Sequence, residues 1–131
     1  MPAYMLDTDS VSFALRGQGR VAEQILAHRP SALCISSITL AELRYGAEMR
    51  KSQKLHDLIT VFVDSVEVLP FDQAASAKFG IVATALARKG EPVGTFDTLL
   101  AAHALSRDLI FVTNNGRHYG RVPDLNIENW I

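Results

Sequence analysis

YMLDTDS, residues 4–10, is the stretch that decides the fold class. The apolar run from Tyr4 to Leu6 meets Asp7 and Asp9, and Thr8 opens a short helical segment broken near Gly17 and Gly19. A short apolar run ending in an acid and followed at once by a helix is a strand-to-helix turn of an α/β protein. The same alternation recurs along the chain. A helix over Val21–Ala27 is closed by Pro30, and Ala32–Ile35 is predicted as a second strand. Ser36-Ser37 can cap a helix from Ile38 to about Met49, and another helix runs from Lys54 to Val63. Val66–Leu69 is a third strand stopped by Pro70. Asp72 caps a long helix to about Lys89, closed by Gly90 and Pro92. Thr95 caps a helix to about Leu105, Leu109–Val112 is a fourth strand, and Ile127–Trp130 is a short fifth one at an edge. Strands alternating with helices imply a mostly parallel sheet of four or five strands, covered on both faces.

Bulk properties bound the function. The chain has 131 residues, which fits a single domain over 1–131. Apolar residues make up 48% and charged residues 21%, an ordinary globular balance. Thirteen Lys and Arg face fourteen Asp and Glu, so any nucleic-acid contact is expected to be local rather than a polyanion coat. The one cysteine, Cys34, fits a reducing compartment. No export signal is legible, and no uncharged apolar run approaches the ~20 residues that span a bilayer. A cytoplasmic location and no membrane partner are therefore expected.

Chemistry-bearing residues cluster at strand ends. In open α/β folds, ligands bind at the carboxyl ends of the strands. Asp7 and Asp9 follow the first strand there, and Thr113, Asn114 and Asn115 follow the fourth. Asp97 begins the helix before that fourth strand. Alone, Asp7 reads as a helix cap and Asp97 as a first-turn acid favoured by the helix dipole. Glu42 stands out more. At about 100° per residue, Ile38, Glu42, Tyr45 and Met49 form one stripe, which places an acid in line with three large apolar side chains. Such an acid needs a counter-charge or a cation. Three converging carboxylates would repel one another, and a divalent cation removes that conflict. Oxygen ligands suit Mg²⁺ or Mn²⁺ better than Zn²⁺. The corresponding reaction class is hydrolysis of a phosphate ester or diester.

The strings YMLDTDS, CISSITLAELRYGAE, VLPFD, ARKGEPVGTFDTLLAAHAL and VTNNGRHYGRVPDLNIENW, in this order, resemble PIN-domain ribonucleases of the VapC toxin type nearly end to end. The resemblance implies a three-layer α/β/α sandwich and a Mg²⁺- or Mn²⁺-dependent endoribonuclease. It further implies the toxin half of a toxin–antitoxin pair, acting on structured RNA, notably tRNA. A VapB-type antitoxin, a homodimer, and contact with DNA only through the antitoxin are implied with it. The family's acids fall on Asp7, Glu42 and Asp97 as metal ligands, and Thr113 matches the supporting hydroxyl. Two positions depart: Asp9 stands where the family usually has Asn, and NGRHY puts His118 where a fourth acid commonly lies. The fourth-acid role is expected to pass to His118, Asn115 or Asp9, and His118 as a ligand would favour Mn²⁺. Arg117 and Arg121 are candidate phosphate contacts. His103 reads as helix packing or surface, and Tyr119 and Trp130 as core aromatics.

Two other readings are open. LDTDSV fits the first motif of haloacid-dehalogenase-like phosphatases, with Asp7 as nucleophile and Asp9 as acid/base. That reading lacks a suitable late lysine and leaves Glu42 unused. A PIN fold kept only as a binding module is the second.

Overall fold

A computed structural model describes residues 2–131. Strand β1 (Tyr4–Leu6) lies at the centre of a five-stranded parallel sheet. Strands β2 (Leu33–Ser36) and β3 (Glu67–Leu69) extend the sheet on one side, and β4 (Ile110–Val112) and β5 (Ile127–Glu128) on the other. The order is β3-β2-β1-β4-β5, with Met5 opposite both Cys34 and Phe111. The chain thus leaves β1 in one direction and returns beside it on the other, which makes the β1–β4 boundary a topological switch point.

The two-residue period of a strand sends alternate side chains to opposite faces. Met5, Cys34 and Phe111 pack with Val82, Leu86, Leu100 and Ala101. These last four belong to helices α5 (Gln73–Lys89) and α6 (Thr95–Ser106). Leu6, Leu33, Ile35 and Val112 pack on the other face with Val11, Val21, Leu43, Ala47 and Ile59. Those residues come from α1 (Thr8–Leu15), α2 (Val21–Ala27), α3 (Ser37–Met49) and α4 (Gln53–Ser65). The result is the three-layer sandwich.

Most element ends follow their capping chemistry. Asp72 accepts from the amide of Ala75 at 3.0 Å and starts α5. Gly90, at φ 69°, ends it with amide bonds back to Ala87 and Leu86, the left-handed C-cap that glycine adopts without steric cost. Several boundaries differ from expectation. Pro30–Ala32 is a 3-10 turn, so β2 starts at Leu33 and takes in Ser36. Ser36 itself caps α3, accepting from the amide of Ile38 at 3.0 Å. Gly94, not Thr95, is the N-cap of α6; its φ of 93° excludes most side chains there. A one-turn helix, α7 (Gly116–Tyr119), was not expected at all.

The largest correction concerns α3. Tyr45 is 68% and Met49 67% exposed, while Thr39, Leu43 and Ala47 are buried. The stripe of Ile38, Glu42, Tyr45 and Met49 is therefore not the core face of this helix. The core aromatics are as expected: Trp130 is buried, stacked on His28 at 4.6 Å, and Tyr119 packs edge-on to Phe111 at 4.7 Å. His103 is fully buried, its Nδ1 2.8 Å from the Ser36 hydroxyl. Among the described residues, no helix is long and apolar enough to cross a membrane.

Candidate active site

Asp7 sits where β1 hands over to α1. Its amide donates to the carbonyl of Val112 at 2.9 Å, which ties the end of β1 to the end of β4. Its carboxylate caps α1, accepting from the amide of Ser10 at 2.8 Å, and also takes a hydrogen bond from Thr113. Thr113 is itself fully buried and accepts from the amide of Asn115 at 3.0 Å. Asp7 is 3% exposed. Burial pushes its pKa up, against the two hydrogen bonds, and the charge of Asp9 adds to the rise.

Glu42 projects from α3 and is half-buried. The hydroxyl of Thr8 donates to its Oε1 at 2.6 Å. Its pKa is also raised, first by burial, then by the negative charges of Asp97 and Asp9. Asp97, in the first turn of α6, accepts at Oδ2 from His118 Nε2 at 2.8 Å and shares the cleft with Tyr119. The Tyr119 hydroxyl stays protonated because burial and the nearby acids push its pKa up.

Asp7, Thr8, Asp9, Glu42, Asp97, Leu100, Asn115 and Tyr119 line one cleft of about 90 Å³. Its walls come from segments spread over more than a hundred residues and meet at the switch point. Asp9 and Asn115 are exposed at the cleft, whereas Thr113 supports Asp7 from beneath. Thr8 went unrecognised in the sequence, although it lies inside LDT and donates to Glu42, one of the expected acids. Arg117 is exposed on α7 and does not line the cleft. Arg121 reaches toward Glu91 at 4.0 Å instead.

His118 differs from its expected role. Its Nε2 lies 2.6 Å from the carbonyl of Val93 and 2.8 Å from Asp97 Oδ2. Both partners only accept, so Nε2 must carry the proton and has no lone pair for a cation. His118 is not a ligand through this nitrogen, and the reason to expect a preference for Mn²⁺ falls with it.

The donor set fits a divalent cation by type. It is all oxygen, and two of its acids, Asp7 and Glu42, have pKa values raised by burial and by neighbouring acids, a repulsion that a cation would relieve. Among the described residues, no three His, Cys, Asp or Glu side chains are already gathered at ion-binding spacing, so the acids line the cleft without closing on one point. A thiol chemistry is excluded, because Cys34 is buried in the core with its pKa pushed up to about 12. No lysine lines the cleft, which removes the phosphatase reading.

The PIN domain family model matches residues 4–125. The curated tRNA(fMet)-specific endonuclease VapC of Salmonella typhimurium is 40% identical over 131 residues, covering 99% of each chain. The protein of the same description from Shigella flexneri is 42% identical over 133 residues, again with 99% of each covered. Among solved structures, DNA-bound VapBC from Salmonella typhimurium superposes with a TM-score of 0.89 at 41% identity over the whole of both chains. VapBC2 from Rickettsia felis, bound to a promoter DNA fragment, gives a TM-score of 0.89 at 31% identity, covering 98% of this chain and 99% of that one.

Proposed function

This chain belongs to the PIN domain family, among its VapC-type ribonucleases, and from that premise we propose that its acidic cleft hydrolyses a phosphodiester bond of tRNA(fMet). The observation that carries this reading is the cleft at the β1–β4 switch point, where Asp7, Glu42 and Asp97 arrive from three separate segments. Two curated relatives, at 40% and 42% identity, share that substrate description and cover nearly the whole chain.

Asp7, Glu42 and Asp97 would hold the cation, Mg²⁺ by the hardness of the oxygen set, with Mn²⁺ as an accepted substitute. When bound, the cation polarises the scissile phosphoryl group and neutralises charge that develops on it. Thr8 orients Glu42 and Thr113 orients Asp7, so two ligands are held by neutral donors that do not cancel their charge. Asp9 and Asn115, exposed at the cleft, meet the RNA backbone first. Arg16 and Arg50, positive where Asp9 is negative, line a neighbouring groove that shares Thr8, Asp9 and Glu42 with the cleft.

As the toxin of a pair, the chain would be covered by a VapB-type antitoxin and would reach DNA only through it. The structural relatives are complexes of that kind. The exposed Tyr45 and Met49 of α3 offer apolar surface for such a partner. A homodimer and a cytoplasmic location belong to the same proposal.

The test is cleavage of initiator against elongator methionine tRNA by the purified chain, with Mg²⁺, Mn²⁺ or chelator, and with Asp97→Asn as control. The initiator tRNA is expected to be cut only with a divalent cation and only by the unaltered chain. Cleavage that persists in chelator, or an equal rate for Asp97→Asn, would overturn the proposal.

A further inference from the structure

We propose that His118 is a positioning residue: by donating its Nε2 proton to Oδ2 of Asp97 and to the carbonyl of Val93, it fixes Asp97 at the cleft. This rests on the reading of Asp97 as a cation ligand given above.

Three observations carry it. First, the two acceptors lie on either side of Gly94, the N-cap of α6, so one N–H bridges the backbone before the helix and a carboxylate in its first turn. Rotation of the Asp97 side chain then breaks a bond that is also anchored to main chain. Second, Tyr119, the next residue of α7, lines the same cleft as Asp97. Two consecutive residues of a one-turn helix thus come to one acid. Tyr119 is buried against Phe111, which ties α7 to the core. Third, the chemistry of the position is one-sided. Asp97 Oδ2 and Val93 O are both acceptors within 3 Å of the same atom, so only a donor is accommodated. An acid at 118, which the family resemblance implies there, would put a third acceptor among them. At this position the chain holds a donor that serves a carboxylate of the cleft.

Hydrogen-bond partners of ligating carboxylates typically contribute about 10–100-fold to metal affinity. The test is isothermal titration of the full chain with Mn²⁺ alone, alongside cleavage measured over a Mn²⁺ series, for His118→Leu, His118→Gln, His118→Glu and Asp97→Asn. His118→Leu is expected to weaken Mn²⁺ binding by about 10–100-fold, with cleavage lost at low Mn²⁺ and recovered as the ion saturates. His118→Gln, which supplies an amide N–H at similar reach, is expected to restore most of the affinity. His118→Glu is expected to do no better than Leu. Wild-type Mn²⁺ affinity in His118→Leu would overturn the inference, and so would a folded His118→Gln that is no better than Leu. Should His118→Leu not fold, the Gln–Glu contrast of donor against acceptor decides alone. The underlying reading is tested separately: undiminished Mn²⁺ binding by Asp97→Asn would sink the cation site, whereas its loss beside an unaffected His118→Leu would sink only the role of His118.

Discussion

Asp7→Asn should stabilise the protein without metal and destabilise it, relative to wild type, with metal. The reasoning starts from a carboxylate that is 3% exposed, beside Asp9, with its pKa raised by burial. The folded state then holds the proton more tightly than the unfolded state does. Stability from this group is therefore full below the ordinary carboxylate pKa and falls as pH rises through the raised native value. At neutral pH the charge is a net cost, of about 1.4 kcal/mol for each unit of upward shift. Asn removes that charge while its Oδ1 still accepts from the Ser10 amide, and Asn is as good an N-cap as Asp.

For a chain of this length, 1 kcal/mol moves Tm by roughly 3–5 °C. In chelator at pH 7, Asp7→Asn should melt at or a few degrees above wild type, and the difference should shrink as pH falls toward 4. Asp7→Ala separates charge from capping. It loses the cap and leaves the buried Ser10 amide without its partner, about 1–3 kcal/mol in all. It should melt well below the Asn variant. Adding Mn²⁺ at about 100 times its Kd should raise wild type by about 2.7 kcal/mol and Asp7→Asn by much less, so that the order of the two reverses. Thermal melts of all three proteins, with chelator and with Mn²⁺, decide it. An equal Mn²⁺ shift in wild type and Asp7→Asn would refute the placement of Asp7 in a cation site.

Thr8→Val removes the hydroxyl that holds Glu42 at 2.6 Å. It is expected to lower Mn²⁺ affinity by about tenfold or more, read by titration, with Tm nearly unchanged because Glu42 is only half-buried. Ser36→Ala removes the cap of α3 and the partner of the buried His103 Nδ1. It should cost roughly 2–3 kcal/mol in urea unfolding, and a midpoint equal to wild type would show that neither bond stabilises the fold.

The rim of the site was legible because it is local. An apolar run that ends in Asp7, and another that ends in Thr113, each declare a strand end, and parallel strands bring those ends to one edge. Glu42 was selected for a reason the fold does not support. An apolar stripe marks a helix face, but composition alone does not say whether that face meets the core or another molecule. Here the buried positions of α3 are Thr39, Leu43 and Ala47, two of them small, which lets the helix lie close to the sheet and leaves Tyr45 and Met49 outside. Glu42 lies between these faces, and the Thr8 hydroxyl that engages it is 34 residues away in sequence. The helix α7 was illegible because four residues that begin with Gly116 and run into Gly120 have no helical preference of their own; one turn forms only under tertiary contact. Without α7 there is no way to see that His118 faces Asp97, a residue 21 positions earlier, rather than the cation.

These tertiary placements divide the cleft between the two cores. Asp7 and Glu42 are mounted on α1 and α3, which pack on the sheet face carrying Leu6, Ile35 and Val112. Asp97 and its donor from α7 belong to the opposite face, with Met5, Leu100, Phe111 and Tyr119. The β1–β4 boundary joins the halves through the register of Met5 with Phe111 and the bond from Asp7 to Val112, and the His103–Ser36 bond ties α6 to the start of α3. Each acid has a donor from its own surroundings: the Ser10 amide for Asp7, the Thr8 hydroxyl for Glu42, and Nε2 of His118 for Asp97. Repulsion among the acids is therefore resisted by two separately packed layers rather than by one helix pair. Burial of Asp7 and Glu42, with neighbouring acids adding to it, is the physical reason their carboxyl pKa values are raised at this edge of the sheet.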